Sequence, residues 1–217
     1  PINIYESNEF EVIGALISRQ THLAIKMSKS PDIWDVHISP LVLRSMIDCY
    51  ITLAWILKIP KERARLYISY GLGQEKLHVE HLISQLSEEM EQDELSDMKE
   101  LIQIHEDWIN SQHYYFLQDV RIGSWSGINT REMAKDVGIL STYNSLYTPW
   151  SFTTHNMWNH TSKFDVNYSD NPLHKFLRSP SYFHSSFEYD FMYNVSKYLS
   201  KSLKLVIDKF DLDINID

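Results

Sequence analysis

Apolar side chains recur along most of the chain with the period of an α-helix. From about Asn8 to Met27 they fall three or four positions apart, which places them on one helix face. The same pattern predicts further helices over about 61–89, 94–118, 130–137 and 139–158, and a last helix that ends near 209. Residues 159–185, which include Pro172 and Pro180, are predicted to be loop-like.

The most apolar segment, residues 39–58, is predicted to be the buried central helix. Ser39 as the N-cap and Pro40 at the first helical position favour a start there. Apolar side chains surround the segment on nearly all sides, which is typical of a core helix. Because it contains Arg44 and Asp48 and is slightly short for a membrane span, a core helix is the better interpretation.

The composition supports an all-α fold. Only 6 Gly and 7 Pro occur among 217 residues, whereas antiparallel sandwiches and barrels need many turn residues. A hydrophobic content of 43% is sufficient for a sizeable core. With no internal repeat and no low-complexity linker, residues 1–217 are expected to form a single helical domain whose tail, 211–217, is frayed.

The net charge of −9 argues against a protein that coats nucleic acid through a broad basic surface. It leaves room for a small basic pocket that acts on RNA. The first residues have neither the basic nor the apolar region of a signal peptide, so a cytoplasmic protein without membrane contact is expected. The one cysteine, Cys49, lies in an apolar run and is expected to be a small buried side chain.

Polar-tipped side chains follow one another at intervals of four residues on the predicted helix 139–158. Tyr143, Tyr147, Ser151 and His155 therefore form one tilted stripe, which is called the ladder below. Two phenols, a hydroxyl and an imidazole are able to donate, accept and transfer protons. Pro149 lies inside the ladder, where it either kinks a continuous helix or opens a new one after Thr148.

Two segments of the chain resemble an uncharacterised family of bacterial all-helical proteins. The first is Trp125–Gly138, followed by the ladder with its Tyr-x3-Tyr-x3-Ser-x3-His spacing. The second is Leu43–Asp48, which resembles the Arg-Ser-x-x-acid element on the core helix of that family, with Asp where Glu is expected. The resemblance covers roughly residues 39–160.

This resemblance places the chain near the higher eukaryote and prokaryote nucleotide-binding (HEPN) helical bundles. Many HEPN proteins are ribonuclease toxins or defence components, and they are often dimers. The resemblance thus implies an HEPN-like multi-helix bundle, an RNA-cleaving or RNA-binding function and a homodimer. The usual HEPN signature, Arg-x4–6-His, is matched by Arg178 and His184, but one such match is expected by chance and this one spans Pro180 outside a predicted helix.

The predicted site consists of Arg44, Asp48, Tyr147, Ser151 and His155. His155 is the candidate general acid or base, because the unperturbed pKa of histidine lies near neutrality. Arg44 would stabilise a phosphate, with Asp48 and Tyr147 positioning the other groups. A hydrogen bond from Ser151 to the backbone is favoured over a nucleophilic role. No metal or other cofactor is expected, because the 2′-hydroxyl of RNA can itself attack the phosphate.

Other interpretations of these residues stay open. Arg44, Asp48 and His155 also suit a structural network in a non-enzymatic helical module that binds a partner protein or a small ligand. Glu75-x-x-His78 is half of a di-iron pattern, so a metal site competes with a solvated helix face there. The tryptophans near the ladder suit either base stacking or core and dimer packing; they are Trp125, Trp150 and Trp158.

Overall fold

A computed structural model describes residues 7–87, 90–112, 124–181 and 187–214. The fold is a mostly helical, all-α bundle, as the sequence predicts. The chain divides into two compact units, one drawn from residues 1–12 and 59–129 and the other from residues 13–58 and 130–217. The prediction of a single domain stays a prediction.

The described elements follow one another as helices, with one short hairpin near the end. The helices are α1 Ser7–Lys29, α2 Ser39–Lys58, α3 Pro60–Ser84, α4 Gln92–Ser111, α5 Thr130–Asp136, α6 Leu140–Thr142, α7 Thr148–Thr154, α8 Trp158–Phe164 and α9 Tyr189–Phe210. A π-helical turn, Tyr143–Tyr147, joins α6 to α7, and the hairpin strands are β1 Val166–Tyr168 and β2 Arg178–Pro180.

Helix α2 is the core element of the second unit, and its predicted bounds are confirmed. Leu43 and Met46 are completely buried and pack with Met27 of α1 and Val195 of α9. Burying a side chain of this size stabilises the fold by roughly 1.5–3 kcal/mol. The helix is long and apolar enough to cross a membrane by length and composition alone, and most of it is buried inside the chain.

A buried amide holds three helices of the second unit together. Gln20 of α1 is fully buried, and its Nε2 donates to the Met46 carbonyl of α2 at 2.8 Å. The same nitrogen donates to Ser202 Oγ of α9 at 3.0 Å. Because a buried amide needs hydrogen-bond partners, this contact fixes how α1, α2 and α9 align.

The start of α2 differs from the prediction in one detail. Ser39 is not the N-cap but the first helical residue, and its buried hydroxyl donates to the Ile33 carbonyl at 2.8 Å. The carboxylate of Asp35 instead accepts from the backbone N–H groups of His37 and Ile38, both at 2.8 Å. Aspartate performs this role well because its short side chain reaches N–H groups two and three residues ahead.

Residues 159–181 contain more regular structure than the loop-like prediction, and residues 182–185 lie outside the described residues. The first range contains most of α8 and an antiparallel hairpin in which Val166 pairs with Pro180 and Tyr168 pairs with Arg178. Strands of three residues carry too little alternation to be detected from a sequence, and proline near a strand argues against one. Pro180 is accommodated because it lies at the end of β2.

In the first unit, α3 packs against α4 around the buried side chains of Val79, Ile102 and Ile109. Helix α3 ends at Ser84, five residues before the predicted end near 89. Helix α4 ends at Ser111, and the rest of its predicted range, 113–118, lies outside the described residues.

Candidate functional site

Two segments that are distant in sequence bring most of the predicted site together. Arg44 and Asp48 lie four residues apart on α2. The π-helical turn and α7, which carry most of the ladder, both pack against α2. The predicted meeting of the core helix with the ladder is therefore present in the second unit.

The π-helical turn explains how the ladder tolerates Pro149. The N–H of Thr148 bonds to the carbonyl of Tyr143, five residues back, and its Oγ1 also donates to that oxygen at 3.3 Å. Pro149, which has no N–H, then lies at the start of α7, where no donor is needed. Single π-helical turns inside helices occur frequently at functional sites.

Arg44 contacts three different groups. Its Nε donates to Ser151 Oγ at 2.9 Å, and its Nη1 lies 3.3 Å from Asp48 Oδ2. Its Cζ lies 3.2 Å from the ring centroid of Tyr147, so the guanidinium stacks on the phenol face. Only 14% of the Arg44 side chain is exposed, against 46% of Asp48. The cluster therefore reaches solvent mainly through Asp48, which pairs with Arg44 although Asp stands where Glu is expected.

Tyr147 supplies the aromatic ring on which the Arg44 guanidinium stacks. Its ring stacks on Tyr143, with centroids 4.5 Å apart and planes at 21°. Burial raises the pKa of Tyr147, and the Asp48 carboxylate and Tyr143 add to the shift, while a hydrogen bond with Thr130 and the charge of Arg44 oppose it. A phenol is already protonated at neutral pH, and this shift acts in the same direction, so Tyr147 is not a base here.

Ser151 links the two segments through its hydroxyl. It donates to the Tyr147 carbonyl at 2.7 Å and accepts from Arg44 Nε. Its proton is directed at a backbone oxygen, and no general base among the described residues holds it. The predicted hydrogen bond to the backbone is thus confirmed, and this geometry does not activate Ser151 as a nucleophile.

His155 does not join the Arg44 cluster. Helix α7 ends at Thr154, and His155 has φ −103° and ψ 12°, outside the helical region, followed by Asn156 with φ 50°. A spacing of four residues places side chains on one face only while the helix continues. The ladder therefore ends at Ser151. The His155 side chain is exposed, and within the described residues no hydrogen bond or ion pair joins it to Arg44 or Asp48.

An exposed aromatic surface follows His155 along the chain. The guanidinium Cζ of Arg178 lies 5.3 Å from the ring of Trp158 and 4.8 Å from that of Tyr168. The two rings are 65% and 61% exposed. Arg178 lies in β2, so its match to the HEPN signature is not helical, and His184 lies outside the described residues. We call Trp158, Tyr168 and Arg178 the aromatic platform.

A second polar cluster of the same unit was not predicted. His160 is buried, and its ring meets that of His37 at 5.7 Å and 88°. His37 Nδ1 lies 3.9 Å from Asp165 Oδ1. His37 and His160 are far apart in sequence and carry no common motif, so no sequence signal joins them. The interruption of the helix at 155–157, which places His160 on a separate helix, was also not predicted.

Two other predictions concern residues outside these clusters. Cys49 is buried, as predicted, and its Sγ lies 3.4 Å from the Leu16 carbonyl. Burial raises the pKa of its thiol to about 12. In the first unit, Glu75 bonds to His105 Nδ1, and the rings of His78 and His105 meet at 5.1 Å.

The tryptophans near the ladder have separate surroundings. Trp125 packs edge-on against Tyr67 in the first unit. Trp150 packs against the core of the second unit. Trp158 is the exposed one, so it alone of the three offers a broad face for stacking with a ligand.

The fold and the Arg44 cluster define an all-helical protein with a polar network between its core helix and a π-helical turn. The chain belongs to a family of unknown function, DUF5677, whose model matches residues 10–172. This range contains every residue of the predicted site. No curated protein and no solved structure matches the chain.

Proposed function

We propose that this chain is an HEPN-like bacterial protein that binds and cleaves RNA in the cytoplasm, as a toxin or anti-phage defence component and as a homodimer. The observation that supports the proposal is the exposed imidazole of His155, which lies along the chain between Ser151 of the Arg44 cluster and Trp158 of the aromatic platform. His155 and Trp158 are three residues apart, so their backbones lie within about 11 Å.

The chemistry available at this surface suits RNA. Exposed indole and phenol rings stack with unpaired bases, and such stacking contributes roughly 1–3 kcal/mol per base. Arg178, held beside both rings, supplies a cation for a phosphate oxygen. A net charge of −9 disfavours broad binding to duplexes but permits a local contact of this kind.

The proposed reaction needs no metal. His155 removes the proton from a ribose 2′-hydroxyl, and the 2′-oxygen attacks the adjacent phosphorus. The bond from phosphorus to the 5′-oxygen breaks, and that oxygen takes up a proton from solvent water, while His155 later returns its proton to solvent. The products are a 2′,3′-cyclic phosphate and a 5′-hydroxyl end. Because Arg44 is largely buried and already paired, its role is to hold α2 against the ladder, with Asp48, Tyr147 and Ser151 as its partners.

The test incubates purified, untagged protein with total RNA and with tRNA. His155→Ala is expected to abolish cleavage while RNA binding and thermal stability are retained, because the side chain is exposed. His174→Ala, which removes another exposed histidine of the same unit, is the matched control and is expected to cleave normally. Cleavage by His155→Ala at the wild-type rate would show that the catalytic assignment is wrong.

A non-enzymatic module that binds a partner protein is the second candidate. It is favoured by the hairpin tip, where Leu173 and Phe176 are 88% and 85% exposed, and by the absence of His155 from the described contacts of Arg44. The two candidates differ in one measurement. If Trp158→Ala and Arg178→Ala bind a fluorescent single-stranded RNA as the wild type does, or if the wild type itself does not bind it, the second candidate is preferred.

A further inference from the structure

We propose that His37, His160 and Asp165 bind a divalent first-row transition metal ion, and that Zn²⁺ is the ion that suits them. One donor atom from each of the three side chains lies within 4.8 Å of the other two. Two imidazole nitrogens and one carboxylate oxygen are a ligand set used for Zn²⁺ and its neighbours, whereas Mg²⁺ and Ca²⁺ prefer oxygen ligands alone. This site is separate from the proposed RNA chemistry, which needs no metal.

The backbone of each proposed ligand is held in place by local hydrogen bonds. His37 lies in the turn that is closed by the Asp35 carboxylate, which accepts from the His37 N–H at 2.8 Å. His160 lies in the first turn of α8, where its N–H bonds to the Met157 carbonyl. Asp165 ends that helix, and its carbonyl accepts from the Ser181 N–H at 2.9 Å. The backbones of the three proposed ligands are therefore held by hydrogen bonds, one in a turn and two at the ends of α8.

Thr153 completes the second layer of the proposed site. Metal-binding histidines commonly use their other ring nitrogen for a hydrogen bond, which fixes the tautomer and the ring plane. Thr153 Oγ1 lies 3.1 Å from His160 Nδ1, and both residues are buried. This contact leaves Nε2 of His160 as the ligand nitrogen.

The remaining distances require only side-chain movement. Bonds of about 2.0–2.1 Å in a tetrahedral zinc site place ligand atoms roughly 3.3 Å apart. The measured separation of His37 Nδ1 and Asp165 Oδ1 is 3.9 Å, so it has to shorten slightly. The side chains of His37 and Asp165 are 30% and 46% exposed, which gives them room to rotate towards the more buried His160.

Charge and access are compatible with a bound ion. The Asp165 carboxylate supplies a negative charge beside the two imidazole rings, which favours a cation at this position. His160 also lines a cleft of about 260 Å³ with Asn159 and Lys163, which gives the ion and its remaining water ligands a route inward. Three protein ligands leave at least one coordination position for water.

The test uses untagged full-length protein and Co²⁺ as a spectroscopic probe. The wild type is expected to bind one equivalent, with the visible absorption of a low-coordinate Co²⁺ site, and Zn²⁺ but not Mg²⁺ should displace it. His37→Gln and Asp165→Asn each remove one partly exposed ligand, and each is expected to weaken Co²⁺ binding at least tenfold while circular dichroism is unchanged.

Two control variants separate this site from other histidines. His174→Gln removes an exposed histidine of the hairpin, and His105→Gln removes the partner of Glu75 in the first unit. Both are expected to bind Co²⁺ as the wild type does. The proposal is overturned if the wild type shows no Co²⁺ absorption, if His37→Gln and Asp165→Asn bind normally, or if the absorption is lost only with His105→Gln.

Discussion

At the scale of single residues, the contact between Arg44 and Ser151 gives a direct test of the site's stability. Ser151→Ala removes the acceptor of Arg44 Nε and leaves that donor unpaired in a largely buried position. We expect the free energy of unfolding to fall by roughly 1–3 kcal/mol. Urea denaturation followed by circular dichroism measures this change.

Ser145→Ala is the matched control for this variant. Ser145 Oγ donates to the Ser141 carbonyl at 2.8 Å, as Ser151 Oγ does to the Tyr147 carbonyl at 2.7 Å. Ser145 differs because it is exposed and because no arginine donates to it among the described hydrogen bonds. Its removal is expected to change stability by less than about 0.5 kcal/mol. Equal losses in the two variants would mean that Arg44 contributes nothing through Ser151.

The buried thiol of Cys49 predicts a pH dependence of stability. Burial, and to a smaller degree the Asp48 carboxylate, raise its pKa from 9.0 to about 12, with Arg19 opposing them. The folded chain then holds this proton more tightly than the unfolded chain, so the thiol's contribution is fully present below pH 9.0. It is lost as the pH rises from 9.0 towards about 12, by at most roughly 1.4 kcal/mol per pH unit.

Cys49→Ala isolates this contribution. Tyr50, Tyr147 and Tyr198 also have raised pKa values because of burial, and they add a loss of the same sign that begins near pH 10.0 in both proteins. Urea denaturation at pH 8, 9 and 10 should therefore show a steeper decline for the wild type than for the variant. Parallel declines would contradict a buried, protonated thiol.

Local spacing predicts individual residues well only where the helix is continuous. Arg44 and Asp48 pair as their four-residue spacing on α2 predicts, and Ser151 reaches the backbone as expected. His155 follows the same spacing rule but lies beyond the end of α7. No glycine or proline marks this end, because Asn156 adopts the positive φ that ends the helix.

At the scale of elements, α2 has more buried residues than any other described helix, so we expect its packing to have the largest effect on stability. Leu43 is completely buried, whereas Leu41, two residues earlier on the same helix, is 39% exposed. Leu43→Ala is expected to lower the free energy of unfolding by about 2–5 kcal/mol, since it leaves a cavity in the core. Leu41→Ala should cost less than about 1 kcal/mol, and thermal or urea denaturation compares them. Similar losses would show that α2 is not oriented as described.

The elements that the sequence predicts are those with several turns and clear end signals. Helix α2 is of this kind, with Pro40 at its start and Pro60 just after its end. The π-helical turn is different: Pro149 indicates a disturbance, but whether a kink, a new helix or a π turn results depends on packing against α2. The hairpin 166–180 depends on pairing between strands that are too short to show a pattern.

At the scale of the whole molecule, the charge of −9 limits how the proposed RNA ligand can bind. Such a protein repels a polyanion at long range, so the affinity of the proposed complex would have to come from stacking and from a few phosphate contacts near Arg178. For single strands, the logarithm of the binding constant falls with the logarithm of salt concentration by about 0.7 per phosphate contact. Two or three contacts predict a slope no steeper than about −2.

Fluorescence anisotropy with a short single-stranded RNA over a range of salt concentrations measures this slope. Arg178→Gln is expected to make the slope shallower by about 0.7, because it removes one phosphate contact, whereas Trp158→Ala should weaken binding at every salt concentration without changing the slope. A slope steeper than about −4 would indicate an extended basic surface. Such a surface would conflict with binding at the aromatic platform, because that platform contributes a single guanidinium among the residues that define it.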